Sequence, residues 1–111
     1  MNKTIKFSAL ILIFIACSPK LVKTTAVDSS IPTQADAAKA SSKWEGTTLE
    51  DLNKGKMLFE GNCGKCHALP LINSEKESEW NKIVPNMAKK AKLAADAENY
   101  ILKYVVTLSN R

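Results

Sequence analysis

Two cysteines and a histidine within five residues carry the most specific chemistry in this sequence. Cys63, Cys66 and His67 stand in the order C-x-x-C-H, with Gly64 and Lys65 between the thiols. This spacing lets both sulfurs reach one porphyrin edge and form thioether bonds with its two vinyl groups. The histidine that follows then lies beneath the ring, with its imidazole at the iron. The motif therefore predicts one covalently bound haem c whose iron is held by His67.

Other chemistries also use a C-x-x-C segment. A thioredoxin-like motif needs a βαβ context, and the sequence has no strand-like alternation. A zinc site needs four ligands, but the chain after Cys17 offers only two cysteines and one histidine. A structural disulfide between Cys63 and Cys66 stays open as an alternative, because the N-terminal segment described below indicates export to an oxidising compartment.

The sixth position on the iron needs a ligand other than histidine, because His67 is the only one in the chain. Met1 is expected to leave with the N-terminal segment, so Met57 and Met87 are the candidate methionines. Met57 points away from the apolar face of its predicted helix and lies six residues before Cys63. We therefore expect Met87 to be the distal ligand. A core-filling role for Met87, ligation by Met57 or a lysine, and five-coordinate iron are the alternatives.

Three predicted helices surround the motif. The first opens at Thr48–Asp51, which resembles a capping box, and its Gly55 is expected to permit close approach of the last helix. There Phe59 would pack against Tyr100 or Tyr104. The last helix is predicted from Asp96 to about Leu108, with one apolar stripe at helical spacing: Ala97, Tyr100, Ile101, Tyr104, Val105 and Leu108.

The middle helix is predicted to begin at Ser74, a plausible N-cap with acidic residues in the turn after it. Its apolar face has the spacing i, i+3, i+4, i+7 and consists of Trp80, Ile83, Val84 and Met87. Pro85 interrupts this pattern. We therefore expect Met87 to project from the end of the helix or from the following turn.

The N-terminal segment is predicted to direct export. Residues 1–16 join two lysines to a ten-residue apolar run, which is typical of a signal peptide. As a helix the run covers roughly 15 Å, half of a ~30 Å bilayer core. Ala16 and Cys17 resemble a bacterial lipobox, in which the cysteine is lipidated and becomes the mature N-terminus, although Phe14 departs from the usual Leu. An ordinary cleaved signal and an uncleaved anchor are the alternatives.

Residues 17–43 are predicted to be a flexible tether, and residues 44–111 the folded domain. The tether is rich in Ala, Ser, Thr and Lys and has no aromatic residue, so it lacks the apolar surface that would offset its ordering entropy. One short helix over Gln34–Ala40 is the alternative. The 68-residue domain is small enough to need a staple such as a cofactor.

Charge and length exclude several functions. The chain has 111 residues and a net charge of +5, but residues 44–111 carry ten basic and nine acidic side chains. Such a balance is not a nucleic-acid-binding surface. The length excludes an enzyme with separate cofactor and substrate domains.

Residues 44–111 resemble the small class I cytochrome c domains of bacteria. The resemblance is carried by Gly55 and Phe59 ahead of the C-x-x-C-H motif, by the apolar face from Trp80 to Met87, and by Leu93 and the helix bearing Tyr104. It implies an all-α, class I cytochrome c-like fold in which three to four helices wrap one haem. It also implies His67 and Met87 as axial ligands, with the Pro70 carbonyl as acceptor for the imidazole N–H. The implied haem pocket consists of Phe59, Leu69, Pro70, Trp80, Ile83, Val84 and Leu93.

The expected function is one-electron transfer by a mono-haem c-type cytochrome, anchored by lipid to a membrane with its domain in the periplasm. Its partners would be respiratory or other redox proteins, and two axial protein ligands would leave no place for a small-molecule substrate or catalysis. Seven lysines are candidates for steering an acidic partner: Lys54, Lys56, Lys65, Lys82, Lys89, Lys90 and Lys92. The alternative is a haem-based sensor that binds a gas or peroxide at an open or labile sixth position.

Overall fold

The computed structural model describes residues 28–111, and every described element is helical. The predicted signal peptide, Cys17 and the tether residues up to 27 lie outside the described residues. Four α-helices follow in order: α1 Gln34–Lys43, α2 Leu49–Leu58, α3 Glu77–Lys90 and α4 Ala95–Ser109. A π-helical turn, Phe59–Cys63, continues α2, and a 3-10 turn, Ile72–Ser74, precedes α3. The predicted all-α class is confirmed. None of these helices has the length and apolar character needed to cross a bilayer.

The packing of α2 on α4 forms the centre of the molecule, and Gly55 makes it possible. A Cβ atom at Gly55 would lie 2.2 Å from the Tyr100 carbonyl oxygen, so no side chain fits there. Beyond this contact the Phe59 ring lies 5.9 Å from the Tyr104 ring and 6.1 Å from the Trp80 ring, between centroids. The predicted close approach at Gly55 and the packing of Phe59 against Tyr104 are both confirmed.

The main core is built from one face of each helix after α1. Phe59 at the end of α2 meets the apolar stripe of α4 and the buried face of α3. Trp80 and Val105 are fully excluded from solvent. The buried cluster consists of Phe59, Ile72, Trp80, Val84, Ile101, Tyr104, Val105, Val106 and Leu108.

Capping residues fix where two helices begin. The predicted capping box of α2 is confirmed: the Asp51 amide donates to Thr48 Oγ1 over 3.2 Å, and the Thr48 amide donates to Asp51 Oδ2 over 2.8 Å. Ser74, in contrast, is not the N-cap of α3. Its hydroxyl donates to the Leu71 carbonyl over 2.8 Å and closes the 3-10 turn. The helix begins at Glu77 instead, after Lys76.

The expectation that Pro85 interrupts its helix is wrong. Helix α3 continues through Pro85 to Lys90, so Met87 lies within the helix. Proline removes one amide donor, and the carbonyl that loses its partner belongs to Asn81, an exposed residue that water reaches. Buried Val84 and Ala88 on either side of Pro85 hold both halves of the helix against the core.

Residues 28–43 are ordered, which corrects the predicted flexible tether over this stretch and the domain start at residue 44. The short-helix alternative is the one observed, because Thr33 and Asp36 form a second capping box at the start of α1. Ala37 and Ala40 are 4% and 1% exposed and pack against fully buried Leu52 of α2. Alanine side chains thus let α1 pack closely against α2. Because α1 has no large apolar residue, its amino-acid composition does not indicate this packing.

Candidate haem site

A single apolar cavity brings the motif and α3 together. Its volume is about 360 Å³, within the range typical of cofactor and small-molecule sites. Residues of the C-x-x-C-H segment and of α3 both line it. Ten residues that the sequence predicts for the haem site line it: Phe59, Cys63, Cys66, His67, Pro70, Trp80, Ile83, Val84, Met87 and Leu93.

The turn that leads into the motif shapes one wall. The π-helical turn Phe59–Cys63 ends α2 with a wider coil, a feature that is frequent at functional sites. The Asn62 side chain donates to the Leu58 carbonyl over 2.8 Å and holds this turn. A Cβ atom at Gly64 would lie 2.9 Å from the Glu60 carbonyl oxygen. Glycine therefore allows the chain to fold back tightly between the two cysteines.

The two thiols occupy different depths. Cys63 is half-buried and Cys66 is exposed, and neither forms a disulfide in the structure. Burial raises the pKa of the Cys63 thiol, which favours its neutral form. One sulfur therefore faces the inside of the cavity and the other stands at its rim.

His67 is oriented by its neighbour in the chain. Its Nδ1 lies 2.8 Å from the Ala68 carbonyl oxygen, and since a carbonyl only accepts, Nδ1 is the protonated nitrogen. Nε2 then keeps its lone pair for a metal ion. The expected acceptor was the Pro70 carbonyl, and the observed one is Ala68. Pro70 lines the cavity instead.

Met57 and Met87 differ in exposure, as the helical pattern predicts. Met87 is half-buried and lines the cavity from α3, together with the motif residues. Met57 is 68% exposed and does not line it. Of the two, only Met87 stands where it would meet a group bound by the motif.

Trp80 links the loop after the motif to α3. The indole is fully buried, and its Nε1–H donates to the Ile72 carbonyl over 3.1 Å. Buried tryptophans usually satisfy this donor. The bond fixes the 3-10 turn relative to α3.

Leu69 is the one predicted pocket residue that lies outside the cavity. It is 36% exposed and borders a second, smaller cavity on the outer side of the loop. Leu71 is 73% exposed, while Ile72 after it is buried. Side chains in an extended segment alternate in direction, so Pro70 points into the cavity and Leu69 and Leu71 point outward.

Five residues that line the cavity were not predicted to belong to the haem site: Asn62, Ala88, Lys90, Ala91 and Ile101. Three of them had a usable signal. Ala88 and Ala91 follow Val84 and Met87 by one helical turn, which places them on the same face. Ile101 belongs to the predicted apolar stripe of α4, and this face of α4 also lines the cavity.

No family model, curated protein or solved structure matches the chain. Residues 28–111 also contain no cluster of three histidine, cysteine or acidic side chains able to hold a bare metal ion. The interpretation of the site therefore rests on its own residues and geometry.

Proposed function

We propose that this protein is a mono-haem c-type cytochrome that carries single electrons from a membrane-anchored position. One observation supports the proposal above all others. Cys63, Cys66 and His67 of the C-x-x-C-H segment line the same apolar cavity as Met87. Unrelated roles for the motif and for this methionine would not require them to share a cavity.

The residues present fit a haem group. The cavity walls between the motif and Met87 are mostly aliphatic and aromatic, as a porphyrin needs. Cys63 and Cys66 would hold the group through two thioether bonds, and His67 Nε2 and Met87 Sδ would hold its iron. When bound, the haem supplies a one-electron Fe(III)/Fe(II) couple. Burial and methionine ligation both raise the reduction potential of such a couple.

The surroundings favour a carrier over an enzyme. Two protein ligands on the iron leave no open position for a substrate. Buried Phe59, Trp80 and Val84 exclude water from the inner wall. Exposed Cys66 at the rim would be the point at which an electron leaves or enters.

Surface lysines support docking of an acidic redox partner. Lys56 and Lys82 pair with Glu60 and Glu79, and the ammonium of Lys54 lies 4.1 Å from the centroid of the Tyr100 ring. The other four of the seven lysines form no ion pair within residues 28–111, and they are Lys65, Lys89, Lys90 and Lys92. Of these, Lys90 also lines the cavity.

Visible spectroscopy of the exported protein tests the proposal. We expect a weak sulfur–iron charge-transfer band at the red end of the oxidised spectrum, and no reaction of the reduced form with carbon monoxide. Met87→Ala should abolish the band and admit carbon monoxide, whereas Met57→Ala should change neither. Immediate carbon monoxide binding by the unaltered protein, without the band, would replace the carrier with a haem-based sensor.

A further inference from the structure

Lys90 brings the one formal charge to the lining of the larger cavity. Among the residues that line this cavity it is the only lysine, arginine, aspartate or glutamate. The rest of the lining is mostly aliphatic and aromatic. Lys90 is also exposed, so it stands where the cavity meets solvent. No carboxylate of the lining offsets its positive charge.

The ammonium of Lys90 has no structural task within residues 28–111. It forms no ion pair there. It is also not needed to cap α3, because three backbone amides from the turn after the helix already donate to carbonyls of its last turn, over 2.8, 2.9 and 3.2 Å. The charge is therefore available to a group bound in the cavity.

The haem of the proposed function carries a matching charge. Its porphyrin has two propionate side chains, and each of them ends in a carboxylate. The propionates lie on the two pyrrole rings that carry no vinyl group, so the thioether bonds of Cys63 and Cys66 would hold the other half of the ring. Lys65 lies between these two thiols and belongs to the vinyl side. A cation that meets a propionate inside the cavity must therefore come from outside the motif.

The position of Lys90 in α3 suits this role. Lys90 follows Met87 by three residues, so the two side chains share one face of the helix, and they are about 4.5 Å apart along its axis. Both line the cavity. Lys90 is the last residue of α3, and the C-terminal end of a helix carries a partial negative charge that repels an anion. A carboxylate bound at this end therefore depends on a nearby cation.

We propose that Lys90 binds one haem propionate and so fixes which edge of the porphyrin lies at the C-terminal end of α3. This inference rests on the proposed function, because it needs a haem attached through Cys63 and Cys66. Charge-assisted hydrogen bonds from the ammonium hold the carboxylate. The second propionate finds no cation in the cavity lining and extends into solvent. Loss of the pair leaves a negative charge near the iron, which favours Fe(III) and lowers the reduction potential.

Zero-length cross-linking of the full haem-loaded protein tests the contact. A carbodiimide activates a carboxylate, and an amine that touches it forms an amide, while the reagent takes up the lost water and leaves as a urea. Peptide mass analysis should find the haem propionate joined to Lys90 and not to Lys89, which is also exposed but does not line the cavity. The absence of a link at Lys90, or equal yields at the two lysines, overturns the proposal.

The reduction potential distinguishes a specific pair from a general surface charge. Lys90→Gln should shift the equilibrium toward Fe(III) about threefold, which is a fall of about 28 mV for a one-electron couple. Lys89→Gln removes the same charge, but salt screens an exposed site that faces solvent, so the potential should stay close to that of the unaltered protein. Lys90→Arg keeps the charge and can bind a carboxylate, so it should restore the potential. Equal falls in Lys90→Gln and Lys89→Gln would refute the pairing.

This inference and the proposed function fail in different ways. An intact mass without covalent haem refutes both. A haem-loaded protein that shows the sulfur–iron band but no link specific to Lys90 refutes only the propionate contact. The link is measured in the unaltered protein, so this test does not depend on the folding of any variant.

Discussion

The two ends of the α2–α4 core are held in different ways. At one end, α1 is fixed by the chain alone, through a capping box, the pair of buried Asp36 with Arg111 and close-packed alanines. At the other end, six consecutive residues from Gly64 to Leu69 are exposed and surround an open apolar cavity. The first end is complete as a protein structure. The second contains the cavity that would hold the haem under the proposed function.

This difference predicts the largest effect for loss of the two thiols. Replacing Cys63 and Cys66 together by alanine should prevent covalent haem attachment and leave the cavity without the haem that would fill it. An empty apolar cavity of this size costs several kcal/mol, a large part of the stability of a small domain. The intact mass and the thermal unfolding midpoint measure both outcomes. An unchanged midpoint would mean that the motif end, like the α1 end, is stable without a cofactor.

The shared centre should be nearly as sensitive as the cavity. Gly55→Ala places a methyl group 2.2 Å from the Tyr100 carbonyl oxygen, so α2 and α4 must move apart. We expect a loss of about 3 kcal/mol in the free energy of unfolding, typical of a severe overpacking substitution. Gly61→Ala is the matched control, because its new methyl meets nothing within 4 Å. Urea denaturation compares the two, and similar losses would count against the close packing at Gly55.

A smaller, pH-dependent effect should be confined to the α1 end. Hydrogen bonds from Arg111 and Thr33, opposed by burial, lower the pKa of Asp36 from 3.8 to about 2. A carboxylate with a lowered folded-state pKa stabilises the protein above pH 3.8, and this contribution disappears as the pH falls through 2. We expect a loss of about 2 kcal/mol over this window. Asp36→Asn should be less stable at pH 6 and should lack this part of the acid dependence, as measured by denaturation between pH 2 and pH 6.

Local patterns predicted the motif end better than the α1 end. Spacing alone chose Met87 over Met57, and helical periodicity placed Trp80 and Val84 on the cavity face. Those signals depend on residues four to seven positions apart, a distance over which helical periodicity is visible in the sequence. The Arg111–Asp36 pair joins residues that are 75 positions apart, and α1 packs through alanines. Neither feature leaves a trace in local composition, which predicts a tether over residues 28–43.

Two smaller corrections have the same origin in tertiary contacts. Pro85 disfavours a helix locally, yet packing on both sides of it keeps α3 continuous. Leu69 is apolar and close to the motif, but the direction of the extended loop turns it outward. In both cases the residue type alone does not determine the local conformation or the direction of the side chain. The surrounding tertiary contacts determine it.

The hydrogen-bonded pair of Asp36 and Arg111 bears on the order of folding. Closing a long loop costs entropy that grows with its length, and the Asp36–Arg111 contact spans most of the described chain. The contacts between α2 and α4 close a shorter loop and bury far more apolar surface. We therefore expect α1 to dock last, after synthesis has reached Arg111. Until then we expect α1 to remain undocked from α4, while the contacts between α2 and α4 can already form.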